Sequence, residues 1–296
     1  MKNFEYFKPD NIGEACSLLS KYTAEAKIIA GGQSLLIMMK ERMITPSYLI
    51  DITNIPGLDH IQYDDREGLR VGASTTHRAI ETSPLIKERF NILSEVEKVI
   101  GSIQIRNVGT IGGNLCHADP CGDLAPLLIA LDAKVKLAGT EGERVIPLDG
   151  FFVDYFETAL REDEILTEIQ IPPPLPYSGK WYQKLSPRET DSAVVGVAVV
   201  VSLDSPNGVC QKARIVLGGA GQIPFRAEKA EMGLKDVSVT EKLIEEAARI
   251  AGKEANPISD LRGSAEYKRA MIELLTKEGI ERACESAREW QKNGRR

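Results

Sequence analysis

The 296-residue chain lacks several features that would place it in a class at once. It has no run near the ~18 consecutive apolar residues of a membrane-spanning helix. The apolar stretch at 192–201 is shorter and reads as a buried strand. Five cysteines, at positions 16, 116, 121, 210 and 284, are scattered and form no disulfide framework. That pattern points to a reducing, cytoplasmic compartment. There is no basic excess: the net charge is −6, whereas nucleic-acid binding needs a basic face to neutralise phosphates. Histidines number three, His60, His77 and His117, and only His117 lies in a ligand-like segment. No general base is assigned to the chain. The first residues, Met1, Lys2, Asn3, Phe4 and Glu5, are polar and acidic, unlike a signal peptide. Internal repeats and low-complexity tracts are absent.

What is present is ordinary globular composition, 43% hydrophobic and 27% charged, at a length suited to about two domains. Residues 4–7 read as a short aromatic strand. Asn11 and Glu14 form a capping-box pattern before a helix whose apolar face carries Ala15, Leu18, Leu19 and Tyr22. Residues 27–30 read as a strand running into Gly31 and Gly32, followed by a helix at 35–40. Strands are expected at 46–52, 69–73, 134–138 and 165–171. Helical stretches are expected at 75–80, 90–100 and 126–131.

The proline run at 172–176 removes backbone donors and favours extended chain. It sets the expected domain border, with one domain at 1–175 and a second at 176–296. The second begins with strands at 181–185 and 193–203. Asn207-Gly208 is a hairpin-turn signal, and 209–217 is the returning strand of a small antiparallel sheet. Helical patterns follow at 227–233, 241–251, 266–275 and 278–291, with Ser238 and Glu241 in capping register.

Two glycine pairs carry the chemistry. Gly31-Gly32 sits in Ala30, Gly31, Gly32, Gln33, Ser34 and Leu35. Gly112-Gly113 sits in Val108, Gly109, Thr110, Ile111, Gly112, Gly113 and Asn114. Glycine permits close backbone approach to a ligand, and successive backbone N–H groups can point at one anion. A diphosphate needs such donors on more than one side, and Ser34, Thr110 and Asn114 add side-chain donors. Taken singly, each pair also reads as a tight turn between packed elements. A Rossmann fingerprint is excluded, because neither segment has G-x-G-x-x-G. Gly218, Gly219, Ala220 and Gly221 come nearest, but Pro224 stands where a third glycine or a helix start belongs.

The segments AGGQSLL (30–36) and QIRNVGTIGGNLCHADPCGD (104–123) resemble the FAD-binding medium subunit of molybdenum hydroxylases. The match is closest to the aerobic carbon monoxide dehydrogenase group, with the xanthine dehydrogenase flavin domain more distant. VGASTTH (71–77), RIVLGGAG (214–221) and SDLRGSAEYKR (259–269) fit the same family, so the resemblance spans nearly the whole chain.

This resemblance implies an α+β fold. A two-part FAD-binding domain of the vanillyl-alcohol-oxidase (PCMH) type would precede a C-terminal domain of a small antiparallel sheet plus helices. It implies non-covalent FAD on both glycine segments, with Thr75 and Thr76 near the flavin. Asp123 would accept from ribityl hydroxyls. Tyr182 and Lys184 would reach the isoalloxazine ring, where a cation stabilises reduced flavin. Gln33 stands where some relatives carry His, so covalent attachment there is not expected. Cys116 and Cys121 flank His117 and Asp119, but C-x4-C alone is a weak metal pattern, and no metal is assigned. The implied partners are a small [2Fe-2S] subunit and a large molybdopterin subunit in a heterotrimer, single or dimerised. The implied function is electron transfer from the [2Fe-2S] clusters through FAD to an external acceptor. Two alternatives remain at this point: a stand-alone flavin oxidoreductase of the same fold, and a non-enzymatic scaffold.

Overall fold

The computed structural model describes residues 2–293, and the chain divides into two compact units. One holds the residues up to Ala118 together with Ala133–Ile171. The other holds Asp119–Asp132 together with the chain from Pro172 onward. Met1, the first residue of the polar N-terminal stretch, lies outside the described residues.

The first unit contains two main sheets. A small parallel sheet has the order Glu5–Phe7, Tyr48–Asp51, Ala26–Ile29. The helix Ile12–Tyr22 covers it, burying Ala15, Cys16 and Leu19 with Ile50 and Ile52. At the start of that helix Asn11 accepts from the Glu14 N–H at 2.9 Å, and the Glu14 carboxylate accepts from the Asp10 N–H at 2.9 Å. The capping box is therefore closed one residue further out than its usual form. The second sheet is antiparallel, in the order Ile61–Asp64, Gly68–Gly72, Ile165–Ile171, Lys134–Gly139, Gly142–Pro147. Its two outer strands have no counterpart in the sequence reading. They are edge strands with many exposed positions, so their apolar signal is thin. Between the second sheet's strands Gly68–Gly72 and Lys134–Gly139 in chain order, the helical region breaks into His77–Thr82, Pro84–Arg89 and Asn91–Lys98. Pro84 opens its own helix, with Ser83 as the cap.

The second unit is built on an antiparallel sheet in the order Ser178–Leu185, Val195–Leu203, Cys210–Gly218, Phe225–Arg226. All nine positions of Val195–Leu203 are buried. Both the helix Ala265–Asn293 and the short helix Leu124–Ala130 pack against this strand. That explains a continuous apolar run instead of alternation. Leu124–Ala130, itself wholly buried, brings Asp119–Asp132 into this unit, although sequence order places the segment beside the first. The hairpin after Leu203 is longer than a two-residue Asn-Gly turn. Asp204 ties it by accepting from the Val209 N–H at 3.0 Å. Thr240, not Ser238, caps Glu241–Glu254 by accepting from the Leu243 N–H at 3.4 Å.

The two helical stretches at 266–275 and 278–291 are one 29-residue helix, Ala265–Asn293. A Cβ on Gly279 would stand 2.6 Å from the Trp181 ring. The glycine lets the helix lie close on the sheet and does not end it. Among the described residues, no helix is long and apolar enough to cross a membrane.

Candidate functional site

The first unit contains a cavity of about 480 Å³ lined by both glycine segments. Strand Ala26–Ile29 delivers the first segment to it. A Cβ on Gly31 would stand 2.3 Å from the Val108 carbonyl oxygen and 2.7 Å from the Gly109 Cα. Only glycine allows the two segments this approach. Gly32 follows at φ +67°, in the left-handed region, before the helix Leu35–Lys40 begins. Among the described residues, the backbone N–H groups of Gly31, Gly32, Gln33 and Ser34 meet no protein acceptor. The Gln33 amide donates back to the Gly31 carbonyl at 3.1 Å.

The second segment is no loop. It is the start of the helix Ile111–His117, with Thr110 as N-cap. Its backbone donors are already engaged: Ile111 N–H to the Thr75 carbonyl (3.0 Å), Gly112 N–H to the Ala73 carbonyl (2.9 Å), Gly113 N–H to Thr110 Oγ1 (3.1 Å) and Asn114 N–H to the Thr110 carbonyl (2.9 Å). What this side still offers is side-chain chemistry. The Thr110 hydroxyl has a proton to donate, and the Asn114 amide bonds no protein group among the described residues.

Of the residues singled out from sequence, Ala30, Gly31, Gly32, Gln33, Ser34, Leu35, Thr110, Gly112, Gly113 and Asn114 line the cavity. Thr75, Thr76 and Val108 do not. The Thr75 hydroxyl donates to the His60 carbonyl at 3.2 Å, and Thr76 caps His77–Thr82 by accepting from the Ala79 N–H at 3.2 Å. Val108 contributes its carbonyl, against Gly31, while its side chain is exposed. These three frame the backbone of the cavity.

Sequence reasoning missed His77, Phe156 and Glu164, which also line it, as do Cys116 and His117, which it weighed only as a weak metal pattern. Phe156 and Glu164 arrive from far along the chain, with no local pattern to announce them. Arg144 grips Glu164 by two bonds of 2.7 Å and holds its carboxyl below the ordinary carboxylate range. Burial pushes the Cys116 thiol up to about 12, so it stays protonated. His77 Nδ1 lies 2.8 Å from Glu97 Oε2, and Glu97 is fully buried. Burial pushes the Glu97 carboxyl up, while the His77 imidazole acts the other way. Glu97 Oε1 has no hydrogen-bond partner.

Asp123, Tyr182 and Lys184 meet in the second unit. Tyr182 and Lys184 are two apart on Ser178–Leu185 and so share a face. The Tyr182 hydroxyl donates to Asp123 Oδ1 at 2.8 Å, and Lys184 Nζ donates to Asp123 Oδ2 at 2.9 Å and to the Asp191 carbonyl at 2.9 Å. Burial pushes the Asp123 carboxyl up, and Lys184 and Tyr182 pull it back. The acid is thus a member of a buried ion pair, with both oxygens engaged. Cys121 Sγ accepts from Arg262 Nη1 at 2.9 Å. Among the described residues, no group of three or more His, Cys, Asp or Glu side chains is placed to hold a metal.

Known proteins share the sequence and fold of this chain. Residues 2–174 match the model of the FAD binding domain in molybdopterin dehydrogenase, and residues 180–283 match the CO dehydrogenase flavoprotein C-terminal domain. The chain is 38% identical over 287 residues to the 6-hydroxypseudooxynicotine dehydrogenase complex subunit alpha of Paenarthrobacter nicotinovorans, covering 97% of this chain and 96% of that one. It is 38% identical over 280 residues to the carbon monoxide dehydrogenase medium chain of Hydrogenophaga pseudoflava, covering 95% and 96%. A solved structure of carbon monoxide dehydrogenase from Hydrogenophaga pseudoflava, lacking the Mo-pyranopterin moiety of the molybdenum cofactor, superposes with a TM-score of 0.92 at 38% identity, over 96% of this chain and 98% of that one. The chain therefore belongs to the FAD-binding medium subunits of the molybdenum hydroxylases, the family of the carbon monoxide dehydrogenase medium chains, and is the flavoprotein subunit of an oxidoreductase.

Proposed function

We propose that the cavity of the first unit holds the diphosphate end of FAD, and that the chain is the electron-transfer subunit of a multi-subunit molybdenum hydroxylase. The observation that carries the assignment is the row of backbone N–H groups on Gly31, Gly32, Gln33 and Ser34 that meet no protein acceptor. Half-buried donors of this kind call for an acceptor from a ligand. Thr110 and Asn114 supply side-chain donors from the other segment. In the second unit, we assign to Asp123 the ribityl hydroxyls, to Tyr182 the covering of the flavin ring and to Lys184 the cation that steadies the reduced ring. The Asp123 carboxylate holds the Lys184 amine in place. When bound, FAD supplies two-electron and one-electron redox chemistry, linking [2Fe-2S] clusters on a small subunit to an external acceptor. Substrate hydroxylation belongs to a molybdopterin cofactor on a large subunit. The chain covers 96% of the length of three relatives that are themselves named as single subunits or chains, which supports this division of labour.

A visible spectrum of the purified chain tests the reading. The expected result is flavin absorbance that survives gel filtration. Gly32→Val should abolish it while the far-UV circular dichroism stays native, because a β-branched residue cannot adopt φ +67° without strain. Colourless protein that takes up no added FAD would end the cofactor assignment. Normal FAD binding by the variant would end the assignment of the segment.

A further inference from the structure

The diphosphate of FAD carries two negative charges, yet both glycine segments offer it neutral donors. Among the described residues that line the cavity, Lys27 is the sole Lys or Arg, and it sits at the start of the approaching strand. The other groups able to carry a positive charge there are the imidazoles of His77 and His117. His77 is 3% exposed and packs against Gly109: a Cβ on that glycine would stand 3.1 Å from His77 Cδ2 and 3.5 Å from Nε2. The His77 N–H donates to the Gly109 carbonyl at 3.0 Å, so the ring is held beside the entry to Thr110. Its Nδ1 turns inward to Glu97. Its Nε2 lies on the opposite side of the ring and bonds no protein group among the described residues.

The surroundings leave this pair to balance its own charge. Glu81, on the same helix, is taken by Arg78 (2.6 Å) and Arg106 (2.9 Å). Arg106 also donates to the Ile100 and Gly101 carbonyls. The neighbouring helix Pro84–Arg89 turns Lys87, Glu88 and Arg89 to solvent. On the cavity side, Glu164 is bound by Arg144, and the His117 ring packs on Phe156 with centroids 5.2 Å apart. Behind His77, Glu97 keeps one fully buried oxygen with no partner.

We propose that His77 and Glu97 form a proton-linked contact to the diphosphate of FAD, in which Nε2–H of His77 donates to a phosphate oxygen. The inference rests on the reading of the cavity as the FAD site. Proton counting makes it specific. With one proton on the pair, Nδ1–H donates to the Glu97 carboxylate and Nε2 presents a lone pair, which repels phosphate. With two protons, Nε2 carries a hydrogen, whether the second proton is counted on the imidazolium or on the Glu97 carboxyl. FAD binding therefore takes up a proton whenever the empty site holds only one. The bound state keeps Nε2–H facing the anion.

The test titrates FAD, ADP and riboflavin into the full chain after flavin removal, between about pH 5.5 and 8.5. Calorimetry in two buffers of different ionisation heat counts the protons. FAD and ADP affinity should fall by up to about tenfold per pH unit on the alkaline side, with uptake approaching one proton. Riboflavin, which has no phosphate, should show no such slope. His77→Gln keeps an N–H donor without titration, so it should bind FAD with a flat pH profile and no proton uptake. Glu97→Gln, whose amide N–H can donate to Nδ1 and leave the hydrogen of the neutral imidazole on Nε2, should likewise lose the pH slope. Wild-type binding that is flat with pH, an equal slope for riboflavin, or a slope retained in His77→Gln would each overturn the proposal while leaving the FAD site standing. No FAD binding at any pH would instead overturn the site itself. The wild-type proton count decides the matter even where a variant fails to fold.

Discussion

Single residues show how far local chemistry is readable. Gly31 and Gly32 were visible as a pair able to approach a ligand, but only the fold shows that Gly31 approaches protein, the Val108 carbonyl. Asp123 was readable as an acid trailing the second segment. Its bonds to Tyr182 and Lys184, 59 and 61 residues away, were not. The cluster has an energetic consequence. Lys184 and Asp123 are nearly inaccessible, at 5% and 8% side-chain exposure. Removing the carboxylate breaks this buried ion pair. Asp123→Asn should therefore cost about 3 kcal/mol. Tyr182→Phe, which removes one hydrogen bond to a charged acceptor, should cost about 1.5 kcal/mol. Thermal melts of the two flavin-free variants check the order. Equal, small losses would show that the pair is not buried in solution.

Elements were legible where one face repeats. The helix Leu35–Lys40 and the strand Ile165–Ile171 stand at the expected bounds, because their apolar patterns are dense and one end of each is marked by glycine or proline. Ile111–His117 was not legible as a helix. Two adjacent glycines oppose helix formation by about 1 kcal/mol each, and the stabilising bonds to the Ala73 and Thr75 carbonyls come from a distant turn. The edge strand Gly142–Pro147 shows the same dependence on partners. Arg144 fastens it to Glu164 and to the Ala159 carbonyl. The Glu164 carboxyl is held below its unfolded range, chiefly by its hydrogen bonds to Arg144. Its contribution to stability is therefore present above the ordinary carboxylate range and lost as pH falls through the lowered folded value. Arg144→Ala should destabilise the protein by about 1 kcal/mol at neutral pH. The gap to wild type should close in acid. Melting temperatures measured from neutral to acidic pH would refute this if the gap stayed constant.

At the scale of the whole molecule, the chain order of the segments does not follow the two units. Asp119–Asp132 belongs with the chain from Pro172 onward, because Leu124–Ala130 is apolar at every position and is buried against the second unit's sheet. Such a segment inside an FAD-binding sequence has no local mark of its destination. The proposed role also has a whole-molecule test. Co-expressed with a small [2Fe-2S] subunit and a large molybdopterin subunit from neighbouring genes, the chain should elute with both, its flavin being reduced by the substrate of the large subunit. A chain that elutes alone and oxidises an organic substrate by itself would favour a stand-alone flavin oxidoreductase.

The amino-acid sequence by itself determined the family, the cofactor class, the strongly periodic elements and the two segments that face the cavity. Those properties are written in contiguous motifs and short periodicities, where neighbouring residues carry the information. The tertiary structure alone decided which donors remain for a ligand. It engaged the N–H groups of Ile111, Gly112, Gly113 and Asn114 within the protein and left those of Gly31, Gly32, Gln33 and Ser34 without acceptors. It also placed His77 against Glu97 and Asp123 between Tyr182 and Lys184. The reason is physical. A buried donor or acceptor takes whatever partner packing brings within hydrogen-bond reach, and packing joins residues that no local pattern relates.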